Sequence, residues 1–309
     1  MEIKDKLLII GGSGFLGSNI ALMASQNFET FITYNSHPRR NLGCHLVHLD
    51  IRDKIQVASV FDEIKPDLVI HTAALVDVDY CESHAEEALA VNANGTRNIA
   101  LSAKNIKAKL IYISTDSVFD GKCGMYKEDD IPSPVNIYAK TKLDGEVAVQ
   151  DLLPDSIIAR TAFYGWHPIS SNNLSLAEWV VSGVRGERVL KMFTDVFFTP
   201  IFVNNLAQVL MIICRLNLKG VYHLGGIKKC SKYDFGQEIA QAFGLNKDCV
   251  QPASITDAGL IAQRPKDISL DIGKISKVSG MHMRLFDFND GVALFRGLEH
   301  SLGGGDLYL

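Results

Sequence analysis

The 309-residue sequence lacks the features that mark secreted, membrane and metal-binding proteins. Its first apolar run, residues 7–10, follows a charged start and is too short for a signal peptide, and no later run is long enough to span a bilayer. The six cysteines form no C-x-x-C pair. This spacing argues against a disulfide framework or a zinc site and favours reduced thiols in a cytoplasmic protein.

No sign of charge dominates the sequence. The chain has 31 Lys and Arg against 35 Asp and Glu, a formal net charge of −4, without a long run of either sign. Nucleic acids and anionic membranes attract basic surfaces, so this balance argues against both as the main partner. The hydrophobic content of 47% is enough for a large core in one α/β domain or two coupled ones.

The most informative segment is residues 7–18, where an apolar run gives way to a glycine cluster that opens an amphipathic stretch. This order predicts a strand, a tight turn and a helix. Glycines let the backbone approach a pyrophosphate, and a helix N-terminus favours negative charge. Gly12, Gly14 and Gly17 fit the spacing G-x-G-x-x-G, while Gly11, Gly14 and Gly17 fit G-x-x-G-x-x-G. The alternative is a strand–helix turn without a ligand.

The first half of the chain alternates apolar runs with helical patterns. Such alternation predicts an α/β fold with a Rossmann-type doubly wound parallel sheet. The expected strands are residues 7–10, 30–34, 45–49, 68–72, 109–114 and 156–160. The expected helices are residues 15–26, 54–64, 84–104 and 137–152.

The pattern loosens after residue 160. The expected elements are a helix within residues 170–186, an extended segment 197–202, a helix 203–216 and a strand 220–224. We expect a smaller C-terminal substrate-binding lobe to close over the carboxyl ends of the strands, where ligands bind in open α/β sheets. The expected domains are a nucleotide-binding domain of residues 1–165 plus about 200–227, and a lobe of residues 166–199 plus 228–309.

Tyr138 and Lys142 are four residues apart and would share one helix face. An ammonium beside a phenol stabilises the phenolate and lowers the pKa of the tyrosine. On its own, this spacing is more typical of an exposed helix face than of a catalytic pair. Thr115, however, follows a predicted strand and offers a hydroxyl at the carboxyl edge of the sheet. Together with the glycine turn, these residues predict a hydride-transfer site.

Several longer segments resemble the extended short-chain dehydrogenase/reductase family, and within it most of all the dTDP-4-dehydrorhamnose reductases. The resemblance covers nearly the full length of the chain. The segments are 71–74 (HTAA), 91–96 (VNANGT), 114–121 (STDSVFDG), 126–128 (YKE), 134–138 (PVNIY), 142–146 (KLDGE) and 264–271 (RPKDISLD). It implies an NADPH-dependent reductase of a nucleotide-linked 4-keto-6-deoxyhexose, with NADH as a second cofactor. Relatives include monomers and dimers, and a homodimer is slightly favoured.

The resemblance also implies roles for individual residues. Tyr138 would donate a proton to the substrate carbonyl, Lys142 would hold the nicotinamide ribose, and Thr115 would polarise the carbonyl. The other implied cofactor-binding residues are Gly11, Gly14, Phe15, Leu16, Gly17, Asn35, Ser36, Arg39, Asp50, Ile51, Ala73, Ala74 and Asn92. The implied substrate-binding residues are Asp116, Ser117, Arg160, Phe163, Trp166 and Arg264, the last at the diphosphate of the substrate.

The segment after the second expected strand bears on the choice of cofactor. NAD-binding folds usually place an acidic residue there for the ribose 2′-hydroxyl. Residues 34–40 contain no acid, and Ser36, Arg39 and Arg40 could bind a 2′-phosphate instead. The alternative is that the arginines lie on a solvated loop. NADPH is therefore the expected cofactor.

Two positions, Ser117 and Asn19, depart from patterns within the superfamily. Ser117 replaces a common tyrosine and leaves more room beside the sugar. Dehydratases need an Asp-Glu pair after the threonine, and Asp116 is followed by Ser117, so dehydration is not expected. Some bacterial reductases have acidic residues at a magnesium-bridged dimer contact; Asn19 stands near the position where one of them would fall, so we expect no metal.

Two other functions stay open. The non-catalytic NADP-binding regulatory subunit of methionine adenosyltransferase shares this fold and retains the tyrosine and the lysine. A sugar-nucleotide 4-epimerase would hold NAD tightly instead of exchanging NADPH. The set of Thr115, Tyr138, Lys142 and Arg264 together favours the reductase.

Overall fold

The computed structural model describes residues 4–38, 42–168, 174–278 and 287–299. Its strands are β1 (Lys6–Ile10), β2 (Glu29–Tyr34), β3 (His45–His48), β4 (Leu68–His71), β5 (Lys109–Thr115), β6 (Ile157–Thr161), β7 (Phe163–Tyr164), β8 (Leu190–Phe193), β9 (Phe197–Phe198), β10 (Ile201–Phe202), β11 (Gly220–Leu224), β12 (Cys230–Ser231) and β13 (Val250–Ala253). Its α-helices are α1 (Phe15–Ala24), α2 (Lys54–Ile64), α3 (Val78–Ser83), α4 (Ala85–Ala88), α5 (Thr96–Ile106), α6 (Ile137–Leu152), α7 (Leu176–Arg185), α8 (Val203–Ile213), α9 (Lys232–Ala242), α10 (Gly273–Ser276) and α11 (Phe288–Gly297). Among these helices, none is long and apolar enough to cross a membrane.

The centre of the fold is a seven-stranded sheet in the order β11-β6-β5-β4-β1-β2-β3. Every neighbouring pair in it is parallel. The order runs outward in both directions from β1 and β4, which is the arrangement of a doubly wound sheet. The predicted fold class is confirmed.

Both faces of the sheet are covered, because side chains alternate along each strand. In β1, Leu7 and Ile9 face one apolar core, while Leu8 and Ile10 face the other. All four are fully buried. Burying a side chain of this size contributes about 1.5–3 kcal/mol. Continuous apolar strands are therefore what this sheet requires.

Two helices have the predicted bounds because a side chain caps each start. Asp53 accepts hydrogen bonds from the backbone N–H groups of Ile55 (2.9 Å) and Gln56 (3.0 Å) at the start of α2. Asn136 accepts one from the N–H group of Ala139 at 2.9 Å and starts α6. Such caps satisfy N–H groups that have no partner within the helix.

The single helix expected over residues 84–104 is wrong. The structure has α3, α4, a π-helix at Leu89–Gly95 and then α5. His84, at φ −131° and ψ 55°, separates α3 from α4. A Cβ at Gly95 would come within 2.7 Å of Ile51 Cδ1, so the π-helix brings the backbone close against the loop after β3. Apolar periodicity does not reveal such a local change in pitch.

The remaining elements form short two-stranded pairs, β10-β7, β12-β9 and β13-β8. They pack with α7, α9 and α11 around buried aromatic rings, among them Tyr164, Phe235 and Phe295. The same apolar core continues to Leu7 and Ile9 of the central sheet. The lobe is thus anchored on one face of the sheet, and the division into two domains stays a prediction.

We expect Asp53→Ala to lower the free energy of unfolding by about 1 kcal/mol, because two N–H groups at the start of α2 lose their acceptor. Urea unfolding followed by circular dichroism measures this. The matched control is Asp62→Ala, an exposed position on the same helix. An equal loss in both variants would contradict the capping role.

Candidate active site

The glycine cluster forms a tight turn between β1 and α1. Gly11 has φ +79°, and a Cβ there would come 2.7 Å from Ala73 N. A Cβ at Gly17 would come 2.7 Å from Gly12 Cα. Gly12 instead faces β2, where a Cβ would meet Ile32. A side chain at any of these three glycines would therefore clash with neighbouring atoms.

Gly14 directly precedes helix α1, and no side chain caps the start of the helix. Phe15 and Leu16 begin the helix; Leu16 is buried, and the ring of Phe15 stacks on His167 at 4.3 Å between centroids. The N–H groups of an uncapped first turn, together with the helix dipole, favour an anionic ligand. A phosphate-binding role for this turn has a physical basis here.

The segment after β2, residues 35–38, is exposed to solvent. Asn35 and Ser36 are exposed, and the Ser36 hydroxyl is 2.8 Å from His37 Nδ1. No acidic side chain lies in residues 35–38, as the 2′-phosphate hypothesis requires. Arg39 and Arg40 lie outside the described residues, so their predicted part stays a prediction.

Asp50 and Ile51 follow β3. The Asp50 carboxylate accepts a hydrogen bond from the Arg52 guanidinium at 2.6 Å, which holds the pKa of Asp50 below its usual value. Asp50 is therefore an ionised acceptor that remains partly exposed. Ile51 is buried against Gly95 and supports this loop from below.

The loop after β4 is held by Asn92. Ala73 and Ala74 are partly exposed beside the glycine turn. The amide of Asn92 accepts from Leu75 N (2.8 Å) and donates to Leu75 O (3.0 Å) and Thr141 Oγ1 (3.1 Å). Because its groups are engaged with the chain, Asn92 braces the Ala73–Ala74 loop against α6 from a buried position. Its contacts do not support the predicted direct role in cofactor binding.

Thr115 and Tyr138 meet where β5 ends and α6 begins. The Thr115 side chain lies close enough to the Tyr138 phenol to affect its pKa. The Thr115 hydroxyl donates to Asp116 Oδ1 at 3.1 Å and accepts from the backbone N–H of Ser117 at 3.1 Å. Lys142, one turn further along α6, donates from Nζ to Ile113 O at 2.7 Å and lies 4.2 Å from the Tyr112 ring centroid. The structure thus places the three predicted catalytic residues on two adjacent elements.

The expected lowering of the Tyr138 pKa is wrong for this arrangement. Burial raises the pKa of Tyr138 to about 12; the nearby Thr115 hydroxyl lowers it, and the charge of Asp116 raises it further. Burial also lowers the pKa of Lys142 to about 7, while Glu146 raises it. Tyr138 is therefore protonated at neutral pH and suited to donate a proton.

Asp116 and Ser117 lie beside Thr115. Asp116 is buried and accepts from the Ser117 hydroxyl at 3.3 Å. Burial raises the pKa of Asp116 to about 6, and the opposite charge of Lys232 lowers it. The charge on Asp116 thus changes in the mildly acidic range.

Sequence reasoning missed Lys232. This residue starts α9, and its ammonium lies 3.2 Å from the Phe198 ring centroid. Burial lowers its pKa to about 8, whereas Asp116 raises it. The pattern from Ser231 to Asp234 is typical of a capping box and could have located the helix start. It carries no sign that the lysine faces an aspartate more than a hundred residues earlier.

Two predicted substrate-binding residues have internal contacts instead. Arg160 is buried, and its Nη2 pairs with Glu146 Oε2 at 2.7 Å. The Trp166 indole donates to Phe295 O at 2.8 Å and packs on the Phe295 ring. These contacts do not support a substrate role for either residue. The partners lie on α6 and α11, and the local sequence gives no sign of either contact.

Phe163 and Arg264 remain partly exposed. The Phe163 ring is 5.4 Å from Phe15, next to the glycine turn. Arg264 pairs with Asp79 of α3 at 3.1 Å, and Asp79 also accepts from Ala262 N at 2.9 Å. These two contacts hold the segment around Arg264 against α3.

Within the ranges that the structure describes, no three His, Cys, Asp or Glu side chains group as metal ligands. The Asn19 amide donates to Phe15 O at 2.9 Å and Trp166 O at 3.2 Å. The expected absence of a metal stays a prediction.

The comparisons with known proteins agree with this geometry. Residues 5–294 match the family model described as the RmlD substrate binding domain. The chain belongs to this family. The match spans both the sheet and the lobe.

Relatives of similar length carry several names. The protein named "probable low-salt glycan biosynthesis reductase Agl14" of Haloferax volcanii is 32% identical over 270 residues, covering 86% of this chain and 90% of the relative. The dTDP-4-dehydrorhamnose reductase of Aggregatibacter actinomycetemcomitans is 32% identical over 289 residues, covering 89% and 94%. Methionine adenosyltransferase 2 subunit beta of Mus musculus is 31% identical over 297 residues, covering 87% and 81%.

A solved structure shows the same fold over the whole chain. The dTDP-4-dehydrorhamnose reductase of Bacillus anthracis, in complex with NADP, aligns with a TM-score of 0.84 and 27% identity. The alignment covers 95% of this chain and 99% of that one.

We expect Gly17→Ala to lower the free energy of unfolding by about 1–3 kcal/mol, because the new methyl group meets backbone atoms of Gly11 and Gly12. Thermal and urea unfolding measure this loss. Gly297→Ala is the matched control, since a Cβ at this end of α11 meets no atom within 4 Å. A Gly17→Ala protein as stable as the control would show that the turn can relax.

Asp116→Asn should stabilise the protein at neutral pH by roughly 3 kcal/mol, because the raised pKa means that ionised Asp116 opposes folding. The wild-type chain retains the contribution of Asp116 below the unfolded-state pKa and loses it as the pH rises through about 6. The stability gap between variant and wild type should therefore open between about pH 4 and 6. Urea titrations across this range measure it.

Asp120→Asn provides a control of opposite sign. Hydrogen bonds from Tyr126 and then Lys122 lower the pKa of Asp120 to about 2. Its contribution to stability is present above the unfolded-state pKa and is lost as the pH falls toward about 2. A gap with the same sign and pH range in both variants would contradict the burial of Asp116 as its cause.

Proposed function

We propose that this chain is an NADPH-dependent reductase of a nucleotide-linked 4-keto-6-deoxyhexose, of the dTDP-4-dehydrorhamnose reductase type. One observation carries the proposal. The side chains of Thr115 and Tyr138 lie near each other at the carboxyl edge of a parallel sheet, on the same edge as an uncapped glycine turn. A carbonyl placed between hydroxyl donors and a hydride source is set for reduction.

The residues present fit a nicotinamide dinucleotide. A Cβ would fill the cradle at Gly11, Gly14 and Gly17, so the pyrophosphate can approach the N-terminus of α1. Asp50 would accept from the adenine amino group, and the segment around Ser36, without an acid, suits a 2′-phosphate. When bound, the cofactor supplies a hydride from its nicotinamide ring. In this proposal the protein also accepts NADH as a second cofactor.

Thr115 and Tyr138 supply the proton side of the reaction. Since the pKa of Tyr138 is about 12, its phenol holds the proton until negative charge develops on the carbonyl oxygen. The oxygen then takes that proton, and Thr115 hydrogen-bonds it during the transfer. The carbonyl carbon gains the hydride, so a secondary alcohol forms. Lys142, as a cation, stabilises the phenolate until solvent returns a proton.

Arg264 and Ser117 support the choice of substrate. A guanidinium suits the two phosphates of a sugar nucleotide, and Arg264 is partly exposed on the lobe, where Asp79 orients it. Ser117 is small and partly exposed beside Thr115, which leaves room for the sugar. The relative named dTDP-4-dehydrorhamnose reductase favours the same substrate class, and a second relative is named as a reductase of glycan biosynthesis. A cytoplasmic homodimer with the expected two-domain division completes the proposal.

Tyr138→Phe should lower kcat by about 10²–10⁴-fold and leave NADPH affinity nearly unchanged, because the variant keeps the ring and loses the proton donor. The assay follows NADPH oxidation with freshly generated dTDP-4-keto-6-deoxyglucose, with and without a 3,5-epimerase. Tyr80→Phe is the matched control, since that hydroxyl is exposed and bonds to Glu87. Full activity of Tyr138→Phe would overturn the proposed role.

A second candidate rests on the methionine adenosyltransferase subunit among the relatives. It predicts NADPH binding without turnover of any keto-sugar and stable association with a catalytic synthetase subunit. Size-exclusion chromatography with that subunit tests the association. Turnover with the keto-sugar decides for the reductase.

A further inference from the structure

Helix α6 carries a third polar residue behind the catalytic pair. Tyr138, Lys142 and Glu146 follow one another at intervals of four residues, so they share one helix face. Lys142 and Glu146 are both buried, with 4% and 2% of their surfaces exposed. Buried charges are costly unless they are paired and hydrogen-bonded.

The Glu146 carboxylate is fixed between two strands. Its Oε1 accepts from Ser114 Oγ of β5 at 2.5 Å and from Arg160 Nε of β6 at 3.0 Å. Its Oε2 pairs with Arg160 Nη2 at 2.7 Å. Ser114 and Arg160 are register partners in the sheet, and Ser114 directly precedes Thr115. One carboxylate therefore ties α6 to the strand end that carries the Thr115 hydroxyl.

Glu146 is also the anion that faces Lys142. From β5, the Tyr112 ring lies 4.2 Å from Lys142 Nζ, and burial keeps its phenol protonated by raising its pKa. From β4, His71 is neutral, because burial lowers its pKa to about 3. On α6 itself Tyr138 is protonated, and Arg160 of β6 lies behind Glu146. Glu146 alone among these groups favours the charged form of Lys142.

We propose that Glu146 is a positioning residue of the site. Arg160 fixes its carboxylate, and Glu146 in turn holds Lys142 as a cation and aligns the Ser114–Thr115 strand end with Tyr138. The inference rests on the proposed roles of Lys142 and Thr115. Glu146 itself touches neither substrate nor cofactor, and it acts through its neighbours.

Glu146→Gln tests the charge while keeping the shape. NADPH affinity should decline as the pH rises and Lys142 loses its proton. Without the anion, Lys142 loses that proton at a lower pH, so this decline should move to lower pH by about one unit. The decline in kcat should move with it. Fluorescence titration of NADPH and turnover assays across pH measure both. An unmoved decline in this variant would overturn the proposal.

Ser114→Ala is the matched control. It removes one hydrogen bond to Glu146 and retains the charge, so activity should fall while the pH of the decline stays in place. A shift of equal size in Ser114→Ala would show that packing, and not the charge of Glu146, sets the pH dependence. That result would also overturn the proposal.

Glu146→Gln leaves the Arg160 charge buried and unpaired, which can unfold the protein. The double variant Glu146→Gln/Arg160→Met removes both charges, and the same shift is expected in it. Lysine-selective 13C NMR, with the Lys142 resonance assigned by Lys142→Met, reads the protonation of Lys142 without cofactor or substrate. A protein that never turns over keto-sugar would refute the proposed function, while an unmoved Lys142 titration would refute the role of Glu146.

Discussion

The parallel register of four central strands brings the glycine turn and the Thr115 hydroxyl to the same edge of the sheet. Ile10 of β1 is paired with His71 of β4, and His71 with Tyr112 of β5. The segments that follow these residues therefore leave the sheet at one edge. β6 continues the same register, since Thr115 is paired with Thr161. A slip in any pair would separate the glycine turn from the Thr115 hydroxyl.

This arrangement requires charged side chains to be buried, which costs free energy because they lose their hydration. Asp116, Lys142 and Glu146 all lie below 5% exposure, where hydration no longer stabilises them. Burial moves the pKa values of Asp116 and Lys142 toward neutrality from opposite sides. Structural positions of this kind are usually apolar, and departures from that rule concentrate at functional sites. The perturbed groups here surround Tyr138, which supports the location of the site independently of any motif.

Local sequence predicted the elements whose signals are local. The bounds of α2 and α6 follow from Asp53 and Asn136, because a cap and an apolar period both lie within a few residues. The π-helix at Leu89–Gly95 was missed; it accompanies the close approach of Gly95 to Ile51, which lies far away in the sequence. The other contacts that were not predicted join residues far apart in the sequence. Neither the Trp166–Phe295 contact nor the approach of Lys232 to Asp116 has a local signal.

The expected effect of Lys142 on Tyr138 failed for a physical reason that also clarifies the chemistry. Spacing places the two residues on one face, but the direction of the ammonium depends on acceptors that other strands provide. Here the ammonium of Lys142 donates one of its three N–H groups to a hydrogen bond with Ile113 O. Two remain for ribose hydroxyls, so Lys142 can hold a cofactor without giving up the backbone contact. In the proposed reaction the phenol of Tyr138 already holds the proton that reduction uses, whereas the reverse reaction would need a phenolate as base.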